Sequence, residues 1–128
     1  MGVITIDKSQ AIQHFWSSFE IPAYDENTVP DDAQMPYITY NVVTNAVDSV
    51  TLLTASVWYR SSSWVDISKK VDEIAAKLAS TGYYSAPLDD GVVWLVQGSP
   101  FAQRMSDPED DMIRRYYLNV TAEFLTAT

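Results

Sequence analysis

The sequence predicts a two-layer α+β domain with elements in the order αββαβββ. Two helices would cover one face of a five-stranded, mainly antiparallel sheet. Three observations carry this reading. Apolar residues recur with a helical period in two segments, residues 9–20 and 64–78. Between and after them lie short runs rich in β-branched and aromatic residues, separated by turn signals. The final stretch, 112–125, alternates from one side chain to the next.

In the first helix Ile12, Phe15, Trp16 and Phe19 fall on one face. Asp7 or Ser9 is the N-cap, and Pro22 ends the helix. Residues 22–36 are acidic and turn-rich, with Asp25-Glu26-Asn27 and Pro30-Asp31-Asp32, and read as a long flexible arm. Residues 37–43 and 50–60 are two strands joined by a turn at 45–49, a hairpin. Ser63 caps a second helix, with Asp66 three residues on. Its stripe is Trp64, Ile67, Val71, Ile74 and Leu78, and Gly82 is placed to terminate it. Residues 83–88 and 92–97 flank Asp89-Asp90-Gly91, a second hairpin. Residues 98–111 read as irregular. The last strand puts Tyr116, Leu118, Val120, Ala122 and Phe124 on one face and Arg115, Tyr117, Asn119, Thr121 and Glu123 on the other. The sheet face away from the helices is then wet, or covered by another chain.

With 128 residues, 47% of them hydrophobic, the chain suits one domain over 1–128 with a single core. A net charge of −9 disfavours nucleic-acid and anionic-membrane binding, both of which rest on basic contacts. The absence of cysteine excludes disulfides, thiolate metal sites and cysteine nucleophiles. No apolar run is long enough to cross a membrane as a helix. The first seven residues lack the pattern of a signal peptide.

No catalytic constellation is legible. His14 is the single histidine, and the four glycines at 2, 82, 91 and 98 form no phosphate loop. Asp107, Glu109, Asp110 and Asp111 are the best set for a hard cation, yet they lack a calcium-loop spacing and read as a solvated loop. No cofactor or metal is expected. The aromatics say more. Trp58-Tyr59, Tyr83-Tyr84 and Tyr116-Tyr117 are neighbours on strands, so each pair sends one ring to either face. They make an aromatic second face that meets a partner, or else a scatter of exposed rings. Arg104, Arg114 and Arg115 flank the acidic run and pair either between identical subunits or within one.

Two stretches resemble a known family. One is Ala55-Ser56-Val57-Trp58-Tyr59-Arg60-Ser61-Ser62-Ser63-Trp64, within residues 51–64. The other runs from Gly98-Ser99-Pro100-Phe101-Ala102-Gln103-Arg104-Met105 to Asp107-Pro108-Glu109-Asp110-Asp111 and Ile113-Arg114-Arg115-Tyr116-Tyr117. Together they are similar to the tail-terminator and tail-completion proteins of long-tailed bacteriophages, over about residues 36–125. The resemblance implies a small α/β subunit of a ring, usually a hexamer, on the head-proximal end of the tail tube. Such a ring stops tube growth, offers the head–tail joining surface and lets DNA pass without specific binding. The implied location is the tail–neck junction of a virion assembled in the host cytoplasm, with tube and neck proteins as partners. No catalytic residues carry over. The resemblance implies a subunit or tube interface at Phe101, Gln103, Arg104 and Met105, the acidic run with Asp107, Asp110 and Asp111, and the 22–36 arm, to which the aromatic pairs and flanking arginines add Trp58, Tyr59, Tyr117, Arg114 and Arg115. The alternatives are a head-completion or stopper protein, a small-ligand binding domain using the aromatic face, and a metal enzyme using the acidic run.

Overall fold

Asp7 starts the first helix. Its side chain accepts from the Gln10 backbone N–H at 2.8 Å, and the Gln10 side chain accepts from the Asp7 N–H at 3.1 Å. That reciprocal box satisfies two N–H groups that the first turn leaves open. The computed structural model describes residues 7–44, 49–79 and 82–126. In chain order they form α1 (Lys8–Ser17), β1 (Ala23–Asp25), β2 (Tyr37–Tyr40), β3 (Ser49–Arg60), α2 (Val65–Ala79), β4 (Tyr84–Leu88), β5 (Gly91–Met105) and β6 (Ile113–Thr126).

The α+β class and the two helices are as expected, but the sheet has six strands rather than five, in the order β1-β2-β3-β6-β5-β4. The extra strand is β1, inside the segment read as an arm. It pairs in parallel with β2, while every other pairing is antiparallel. Three residues carry too little pattern to announce a strand, and the parallel bonds from Ile38 N–H to the Pro22 carbonyl and from Glu26 N–H to the Tyr40 carbonyl hold it in place. Beyond it the Asp25 carboxylate accepts from Asn27 N–H and the Asp25 carbonyl from Thr28 N–H, so the chain turns back at once.

Three boundaries move for local reasons. α1 stops at Ser17, not Glu20, and Glu20 takes a positive φ of 67°. β2 ends at Tyr40 because the Asn41 side chain takes over as acceptor for the Thr54 N–H. β5 continues to Met105 through residues 98–105 that read as irregular. Between Gln97↔Val120 and Ala102↔Leu118 the register shifts, with residues 98–101 standing opposite Asn119 alone. Gly98 makes this possible, since a Cβ there would stand 2.8 Å from the Asn119 Cβ and carbonyl oxygen. The 45–49 turn falls almost wholly outside the described residues.

The core is the expected one. Ile12, Phe15, Trp16 and Phe19 of α1 and its end, and Ile67, Val71, Ile74 and Leu78 of α2, are buried against Ile38, Leu53, Val57, Leu95, Leu118, Val120 and Phe124. Each such side chain stabilises by about 1.5–3 kcal/mol. Ser63 Oγ accepts from Val65 N–H at the start of α2, and Gly82, with φ of +88°, donates to the Ala79 carbonyl after its end. α1 touches both β1 and β4, which are the two edge strands. A sheet whose opposite edges meet one helix must curl around it, so one face is filled by helices and the other turns outward.

Candidate assembly interface

Antiparallel register puts cross-strand partners on one face. On the outward face β3 carries Val50, Leu52, Thr54, Ser56 and Trp58, and β6 carries Arg115, Tyr117, Asn119, Thr121 and Glu123. β5 adds Trp94, Val96, Gln103 and Met105. Arg115 and Glu123 among these are charged, and Arg60, the next residue of β3 with this parity, adds a third charge at the end of the sheet. Val50 and Leu52 are 63% and 57% exposed, and Val96 is 37% exposed. An outward face short of charge and rich in aromatic and apolar groups has the composition of an interface core. Each aromatic pair divides as expected: Tyr59, Tyr84 and Tyr116 pack toward the core, while Trp58 and Tyr117 lie on the outward face and Tyr83 stacks on Trp94 at 4.7 Å.

A continuous row crosses four strands of this face. Tyr24 meets Tyr37 at 5.8 Å between ring centroids, and Tyr37 meets Trp58 at 6.4 Å. The Arg115 guanidinium then stands 4.6 Å from the Trp58 ring and 5.8 Å from Tyr117. Trp58 Nε1 donates to Thr39 Oγ1 at 2.9 Å, and Arg115 Nε donates to Ser56 Oγ at 3.0 Å. Hydrogen bonds at both polar ends fix the planes of the stack. Tyr24, Tyr37, Thr39 and Ser56 escape sequence reasoning. Their signal is parity with Trp58 across a register that only pairing supplies.

All four arginines of the chain gather at one end of the sheet, on the last residues of β3 and β5 and the first of β6. On the helix side Trp64 takes Arg104 at 4.7 Å and Arg114 at 5.4 Å. Arg104 Nε donates to the Tyr116 hydroxyl at 2.8 Å, and Ser68 lies 3.3 Å from the same oxygen. Burial raises the Tyr116 phenol, but the Arg104 and Ser68 hydrogen bonds outweigh it and hold the group below its usual range. Arg114 donates to the carbonyls of Asp111, Ile113 and Ser62. Its Nε is buried with no acceptor among the described residues.

The acidic run is absorbed by its own turn. Asp107 Oδ1 accepts from the Glu109 and Asp110 N–H groups. Asp110 accepts from Met112 N–H and pairs with Arg60 at 2.7 Å, and both hold its carboxyl below the usual range. Among the described residues no group of acidic or histidine side chains is arranged to hold a metal. Arg104, Arg114 and Arg115 lie on rings, hydroxyls and carbonyls rather than on these acids. Asp111 contributes its carbonyl to Arg114. Tyr59 and Phe101 pack against the core. Burial, then Asp66 and Glu73, raise the Tyr59 phenol. Gln103 and Met105 lie on the outward face, opposite Tyr117 and Arg115.

A separate cleft of about 340 Å³ opens between α1 and β1, lined by Ser9, Gln13, Ala23, Tyr24, Asp25, Thr28, Tyr40 and Val42. It is mostly polar and open to solvent, unlike the enclosed apolar pocket of a small-molecule site.

These features define a curled α+β domain with a charge-poor outward sheet face. No family model and no curated protein sequence matches the chain. Among solved structures, it matches a chain in the virion of a native gene transfer agent particle, with a TM-score of 0.59 at 16% identity. The match covers 87% of this chain and 81% of that one. At that identity the likeness is one of fold.

Proposed function

We propose that this protein is a structural subunit of a phage-like virion, and more narrowly a tail terminator. In this reading it forms a hexameric ring on the head-proximal end of the tail tube. The ring blocks further tube growth, presents the surface for head attachment and leaves a passage for DNA. The observation that carries the reading is the fold, which spans most of both chains in the match to a virion protein. The outward sheet face supports it, because a ring subunit must bury surface against neighbours and against the tube.

The work of such a protein is geometric, and it needs no catalytic group. Its acidity suits a conduit, since a net charge of −9 repels phosphate and keeps DNA from adhering. The test is electron microscopy of particles made without this protein. Tails that overrun their normal length and carry no head are expected. Tails of normal length joined to heads would overturn the reading.

A further inference from the structure

The two sides of the sheet offer open backbone edges of different quality. β4 covers β5 only as far as the Tyr84↔Leu95 pair, so among the described residues nothing pairs with the outer side of β5 at Ala102–Met105. The opposite edge is β1. The bonds from Pro22 and Glu26 turn toward β2, so by parallel alternation Ala23 turns both backbone groups outward and Asp25 its N–H, beside the α1–β1 cleft, while the Asp25 carbonyl is already taken by the Thr28 N–H. The third edge, β4, is blunted. The Leu88↔Gly91 pair closes a two-residue turn, which aims Pro87 outward, and proline has no N–H to offer.

We propose that the open end of β5 pairs with β1 of a second copy, so that the sheet runs from subunit to subunit around the ring. This rests on the ring reading and adds its joint. Direction is consistent. β5 runs opposite to β1 through the chain of pairings, so a rotation about the strand axis brings them together antiparallel. Charge is complementary on the helix side of the joint, with exposed Arg104 on one edge and Asp25 on the other. Arg104 has no carboxylate partner among the described residues. Two different edges meeting head to tail make a heterologous contact, which gives a ring where the rotation between copies closes and an open filament where it does not.

The chain has no cysteine, so introduced thiols report the joint directly. Tyr24 and Gln103 both face outward and would be cross-strand neighbours, with Met105 the next on that face. The double variants Tyr24→Cys/Gln103→Cys and Tyr24→Cys/Met105→Cys are oxidised and run without reductant, beside each single variant. Light scattering gives the mass of every sample, and circular dichroism checks its fold. The proposal expects a ladder of linked copies in a double variant and none in any single one. Linked dimers from a single variant would mean an edge pairing with itself and would overturn the head-to-tail joint. An oligomeric mass with no cross-link in either double variant would overturn the joint and leave the ring reading standing. A monomeric mass with no cross-link would overturn both.

Discussion

Arg115 binds Trp58 from the side of the sheet that no helix covers, with its guanidinium 4.6 Å from the indole and its Nε on Ser56. The pair links β6 to β3 and stiffens the row that begins at Tyr24. A half-exposed cation–aromatic contact of this kind stabilises by about 0.5–1 kcal/mol. Arg115→Ala is expected to lower the melting temperature by about 2–5 °C. Arg115→Gln, which keeps a donor and much of the stem, should recover part of it. An unchanged melting temperature in Arg115→Ala would mean that the stack forms no part of the fold's stability.

Lys77 ties the two helices and β4 together. Its ammonium lies 5.9, 5.1 and 5.2 Å from the rings of Phe15, Phe19 and Tyr84, and donates to Ser18 Oγ at 2.6 Å. Methionine keeps the apolar stem and removes the charge. Lys77→Met should therefore cost about 1 kcal/mol, read by chemical denaturation.

Gly98 carries the bulge in β5. Alanine would press a methyl group to within 2.8 Å of the Asn119 backbone oxygen, which has little freedom to retreat. Gly98→Ala is expected to destabilise by about 1–3 kcal/mol. Gly82→Ala meets no atom within 4 Å but loses the ease of a positive φ, so its cost should stay nearer 1 kcal/mol. Equal costs at the two positions would contradict this account of the bulge.

Asp110 makes a pH-dependent contribution. Its folded pKa lies below the ordinary 3.8, through the Met112 N–H and Arg60. A depressed carboxyl favours the folded state at neutral pH, and that favour is lost as pH falls through the folded value. The melting-temperature difference between the parent protein and Asp110→Asn should therefore be present at pH 7 and shrink below about pH 4. A difference that grows on acidification would have the wrong sign.

The outward face should matter to assembly more than to folding. Leu52 and Val96 are exposed in the single chain, so Leu52→Glu and Val96→Glu should leave the melting temperature within about 1–2 °C. If the face is buried between virion proteins, the same changes strand charge in an apolar contact and reduce particle yield. Normal yield with both would remove this face from the interface.

Much of this was legible in the sequence. The helical stripes at Ile12–Phe15–Trp16–Phe19 and Ile67–Val71–Ile74–Leu78 follow from spacing, and the alternation of β6 follows from period two. What escaped were features set by pairing. β1 has three residues and no pattern of its own, and it exists because β2 lies beside it. The second half of β5 hid behind Gly98 and Pro100, which read as breakers, whereas here the partner strand β6 carries the ladder past the bulge. The interface row shows the same limit. Neighbouring aromatics told that one ring of each pair would leave the core, and the alternation of β6 set Arg115 and Tyr117 on one face, but only register singles out Trp58 and brings Tyr24 and Tyr37 into the same row.

The central claim, a closed ring of identical subunits, is tested most directly by the solution mass of the purified protein. Size-exclusion chromatography with light scattering, over a series of concentrations, should give a mass near six times the 14.4 kDa of one chain. A mass of 14.4 kDa at every concentration would contradict it.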